Sequence, residues 1–70
     1  MLHWKRGGFP SLGQECLCKL EDKKFTIYLI LKPIEEHKSI YWYDEIGAET
    51  FIESEIECWI PLSEIINNIQ

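Results

Sequence analysis

Apolar and polar positions alternate with a period of two over five short stretches, and turn-forming residues separate them. In Glu15 to Leu20, Cys16, Cys18 and Leu20 share one face while Glu15, Leu17 and Lys19 share the other, the pattern of an extended strand. Glu21-Asp22-Lys23-Lys24 reads as a polar hairpin connection. Phe25 to Lys32 is rich in β-branched and aromatic residues and apolar on both faces, which predicts a central strand covered on two sides. Pro33 ends it in this reading, and Ile34 to Lys38 becomes a charged crossover. Ser39 to Asp44 sets Ile40 and Trp42 against Tyr41 and Tyr43. After the break at Gly47, Glu49 to Ser54 predicts a one-sided edge strand, where charge discourages pairing with other chains. Glu55 to Ile60 places Ile56, Cys58 and Ile60 inward with Glu57 and Trp59 outward, and Pro61 closes the run.

The two ends are of different kinds. Gly7-Gly8, Pro10 and Gly13 make the first fourteen residues a loop, because glycine permits positive φ and proline withholds a ladder donor. Ser63 is a helix N-cap, with Glu64 in the first turn and Ile65, Ile66 and Ile69 as apolar contacts, so residues 63–69 form a short C-terminal helix. The chain is therefore one mainly β domain over residues 1–70. Its five antiparallel strands form a curled sheet or small open barrel, with the helix plugging one end.

Seventy residues bury only about 60% of the surface that the unfolded chain exposes, so the core is thin. With 46% apolar residues the chain is still too hydrophobic for disorder, and rings that find no cover inside call for a partner. Three cysteines cannot all pair, and Cys16 and Cys18 on one strand are badly placed to bridge, which points to a reducing, cytoplasmic setting. No apolar stretch is long enough to span a membrane.

Charge is strongly segregated. Residues 1–38 hold seven bases and five acids, net +2, whereas residues 39–70 hold no base and seven acids, net −7, for a total of −5. An acidic chain is repelled by phosphate backbones, which argues against direct nucleic-acid binding. Alternating Glu53, Glu55 and Glu57 line one side of a sheet if the strand runs unbroken. With Tyr41, Tyr43 and Trp59 they make the candidate partner-binding surface, addressed to a basic protein, with a second copy of the chain as the alternative partner.

Catalytic and metal chemistry find little support. Cys16, Cys18, Cys58, His3 and His37 would suffice in number for zinc, but a Cys-x-Cys within a strand projects its thiols along one face instead of converging them, so these are read as small core residues. His37 sits among Glu35, Glu36 and Lys38, where a solvated histidine is the ordinary expectation. No two of the twelve acids are singled out by an apolar setting, and the four glycines have no phosphate-binding order. The expectation is a non-enzymatic protein with no cofactor.

Trp4, Pro10, Gly13 and the strand Cys16-Leu17-Cys18 at one end, Tyr41-Trp42-Tyr43 in the middle, and Trp59-Ile60-Pro61-Leu62 at the other resemble the family called domain of unknown function 551. The resemblance departs from the family pattern at Lys5-Arg6-Gly7-Gly8, where a serine-containing polar turn is usual, and in the length of the Pro33 to Lys38 segment. It implies a mostly β fold and a phage or prophage origin. The family lends no catalytic residue.

Overall fold

The computed structural model describes residues 2–22 and 24–69, so Lys23 of the predicted hairpin connection and the Ile69 side chain expected to pack lie outside the description. Five strands form one unclosed antiparallel sheet: β1 (Cys16–Leu20), β2 (Ile27–Glu36), β3 (Ser39–Asp44), β4 (Glu49–Phe51) and β5 (Ile56–Pro61), in the order β4-β3-β2-β1-β5. A 3₁₀ turn, Glu53–Glu55, joins β4 to β5, and α1 (Leu62–Ile69) follows β5 directly. The mainly β reading with a short C-terminal helix therefore holds, although α1 begins at Leu62, so Ser63 lies inside its first turn and is not the N-cap.

The long strand β2 organises the sheet. Its first half pairs with β1, from Ile27 opposite Leu20 to Leu31 opposite Cys16; its second half pairs with β3, from Lys32 opposite Tyr43 to Glu36 opposite Ser39. The two ladders meet end to end at Leu31 and Lys32, so the sheet consists of two three-stranded halves that share β2. Leu31 and Pro33 at this junction are fully buried.

Pro33 does not end β2. The N–H and C=O of a strand residue point to the same side, and the Pro33 carbonyl accepts from the Gly13 N–H at 2.8 Å, just beyond the start of β1. The donor that proline lacks thus faces the end of the β1 ladder and costs the β3 pairing nothing. The segment read as a crossover continues as strand to Glu36 and turns at His37-Lys38.

The register assigns the faces. Cys16, Cys18, Leu20, Leu29, Leu31, Pro33, Trp42, Phe51, Trp59 and Ile56 lie on one side, the inner face. Trp42 from β3 and Trp59 from β5 sit in opposite halves of the sheet with β2 and β1 between them, yet their rings meet at 5.7 Å, and Phe9 from the N-terminal segment stacks on Trp42 at 5.3 Å. This aromatic cluster with Cys16, Cys18, Leu31 and Ile56 is the core.

Trp59 lies opposite to its expected side. It is 6% exposed and belongs to the core. Two local features reverse the predicted alternation. The β1–β5 register slips between Lys19 and Leu20, so Cys58 is opposite Lys19 while Ile56 is opposite Leu20, and Glu57 occupies the bulge. β5 also is not left bare at its outer edge: Lys5 and Trp59 exchange both backbone hydrogen bonds at 2.8 Å. Residues 4–9 therefore act as a strap that covers this edge and then crosses the inner face.

Candidate binding surface

Each sequence-derived site residue was expected on one acidic, aromatic surface, and the fold distributes them differently. β4 stops at Phe51, so Glu53 and Glu55 sit on the 3₁₀ turn and do not continue an unbroken strand to Glu57. The Glu55 carboxylate accepts from the Ile52 N–H at 3.0 Å and closes that turn. Glu53 accepts from the Gly8 N–H and ties the turn to the strap. Glu57 pairs with Lys19 across the β1–β5 ladder at 2.8 Å. This partner holds its carboxyl below the ordinary carboxylate value and raises Lys19, the hydrogen bond being the largest cause for both.

The same closure operates elsewhere. Lys5 reaches Glu64 on α1 at 3.0 Å and stands 5.8 Å from the centre of the Trp59 indole, and Lys32 reaches Glu45 at 3.2 Å. Bases of the first half of the chain thus meet acids of the second half in all three ion pairs among the described residues. Much of the segregation along the sequence is complementarity between neighbours in space, because β5 lies beside β1 and the strap lies beside β5. Glu35, Glu36 and Glu49 are exposed and make no ion pair among the described residues.

Tyr41 and Tyr43 remain at the surface, half-buried on the outer face of β3. The β2–β3 register sets Ile34 beside Tyr41 and Lys32 beside Tyr43. Continuing along the outer side of β2, Ile30 and Tyr28 are 41% and 49% exposed. The result is a run of rings and aliphatic side chains across β2 and β3, bordered at the hairpin end by Glu36.

Sequence reasoning missed the contribution of β2 to this surface, although the apolar character of both its faces was visible. It also missed a cleft of ≈ 250 Å³ at the β1–β5 end of the outer face, lined by Trp4, Arg6, Lys19, Tyr28, Glu57 and Cys58. Trp4 reaches the cleft from the strap and packs against Tyr28 with ring centres 6.2 Å apart.

The cysteines are free and buried. Burial raises the Cys16 thiol to about 11 and the Cys18 thiol to about 12, so both stay protonated and inert at neutral pH. Among the described residues no group of three His, Cys, Asp or Glu side chains converges as metal ligands, and no helix is long and apolar enough to cross a membrane. No family model matches the chain, nor does any curated protein or solved structure.

Proposed function

We propose that this chain is a non-enzymatic phage or prophage accessory protein that binds another protein through the outer face of β2 and β3. The observation that carries the reading is an outer-face run in which Tyr28 and Ile30 are exposed and Ile34, Tyr41 and Tyr43 half-buried, in a domain whose core is already filled by Trp42, Trp59 and Phe9. Tyrosines of this kind anchor protein interfaces, since each ring buries a large area at small entropic cost and its hydroxyl tolerates the wet rim.

Charge selects the partner. The chain carries −5 overall, and the exposed Glu35, Glu36 and Glu49 make no ion pair among the described residues, which favours a basic protein and steers its approach. The contact rests on Tyr41 and Tyr43. Trp59, Glu53, Glu55 and Glu57 serve the fold instead, through the core, the 3₁₀ turn and the Lys19 pair. The resemblance at Trp4 and at Trp59-Ile60-Pro61-Leu62 supports the phage setting, and three unpaired thiols support the cytoplasm.

Affinity capture from bacterial lysate tests the reading. The wild-type chain is expected to retain a basic protein at low salt, to release it at high salt, and to lose it when Tyr41→Ser and Tyr43→Ser are combined. Retention of the same protein by the double variant, or retention indifferent to salt, refutes it.

A further inference from the structure

The cleft beside the strap differs in character from the rest of the molecule. Its walls are the rings of Trp4 and Tyr28, and three of its six lining residues carry charge. Lys19 is held by Glu57 at 2.8 Å, so these two neutralise one another. Arg6 makes no hydrogen bond or ion pair among the described residues, and its charge reaches Glu57 only at longer range. The lining is therefore net +1 on a chain of net −5, with one guanidinium open to a ligand.

We propose that this cleft binds the C-terminal residue of a partner polypeptide, its apolar or aromatic side chain against the paired rings of Trp4 and Tyr28 and its carboxylate on Arg6. Three features select this occupant. The volume of ≈ 250 Å³ lies below the range of about 300–1,000 Å³ typical of pockets for drug-sized ligands, which suits a single residue. One free cation matches one carboxylate, whereas a nucleotide brings several negative charges to an acidic protein. A ring and a carboxylate within one residue's reach occur together at a chain terminus, and guanidinium captures carboxylate with a planar, charge-assisted pair. The site shares Tyr28 with the β2 end of the outer-face run but includes neither Tyr41 nor Tyr43, so it does not depend on the contact proposed for those two.

Trp4 supplies the signal for a test. Of the three indoles, Trp42 and Trp59 are buried in the core, and Trp4 is 39% exposed in the cleft wall. A short peptide ending in Phe with a free carboxylate, titrated against the full chain, is expected to shift Trp4 fluorescence saturably. The same peptide with an amidated terminus is expected to bind at least about tenfold more weakly, and so is the free acid to an Arg6→Gln variant. Arg6 is exposed and unbonded, so this variant keeps its fold, and its unchanged circular dichroism verifies that. Tyr41→Ser is expected to leave the titration unaltered. Equal binding of acid and amide, no saturable shift with the free acid, or free phenylalanine binding as tightly as the peptide would each overturn the proposal.

Discussion

The β2–β3 hairpin turns on two residues that both occupy the left-handed region, His37 at φ 49° and Lys38 at φ 66°. Positive φ at both central positions is the signature of the type I′ turn, whose twist matches that of the flanking strands and whose preferred sequence is Asn-Gly. A non-glycine residue in this region costs roughly 1–2 kcal/mol, less for histidine, which is enriched there. Both side chains are exposed and neither makes a hydrogen bond or ion pair among the described residues, so no contact offsets that cost. Replacing the pair by His37→Asn and Lys38→Gly relieves most of it. The greater freedom of glycine in the unfolded chain takes back about 0.5–1 kcal/mol. The net gain is about 1–2 kcal/mol, or about 5–15 °C in Tm for a domain of this size. Thermal unfolding followed by near-ultraviolet circular dichroism measures it. Lys38→Ala is the control, since alanine stays strained at this φ and gains little. A double variant with Tm unchanged or lowered refutes the reasoning.

Other perturbations address the strap, the next turn and the thiols. Trp59→Phe removes the indole N–H bond to the Gly7 carbonyl at 3.0 Å and is expected to cost about 1–2 kcal/mol, with the Lys5 amide exchanging hydrogen faster while the β1–β2 amides stay protected. In the β3–β4 turn, Ala48 has φ 53°, whereas a Cβ on Gly47 would stand 2.8 Å from the Asp44 carboxylate oxygen. Ala48→Gly is therefore expected to raise the unfolding free energy and Gly47→Ala to lower it, each by about 0.5–1 kcal/mol, read from urea unfolding. The Cys16 and Cys18 thiols, raised by burial to about 11 and about 12 from 9.0, contribute stability that is complete below pH about 9 and lost as pH rises through those values. Urea midpoints should fall across that alkaline window in the wild type and fall less in a Cys16→Ala, Cys18→Ala variant.

The strands were legible because a period of two is a strong signal over Cys16–Leu20 and Ser39–Asp44, and the mixed faces of β2 marked it as central. What failed depended on contacts remote in sequence. Pro33 reads as a terminator until the Gly13 N–H is known to lie beside its carbonyl. Trp59 reads as outward until the bulge at Glu57 and the strap at Lys5 bring it into the core. The acidic second half reads as a patch until β5 is known to lie beside β1, where Lys19 meets Glu57. Tyr41 and Tyr43 keep their expected place because the register of a tight hairpin is fixed by its own two strands. The cleft was illegible for the opposite reason, since Trp4 and Tyr28 are far apart in the chain and meet only through the strap.

The outer face of β2 and β3 is proposed to wait for a different protein and not for a second copy of this chain. Light scattering of the purified chain measures this directly. The account predicts a monomeric mass, the same for the wild type and for the Tyr41→Ser, Tyr43→Ser variant. A wild-type dimer that dissociates on that double substitution would show the tyrosine face consumed by self-association, and would contradict it.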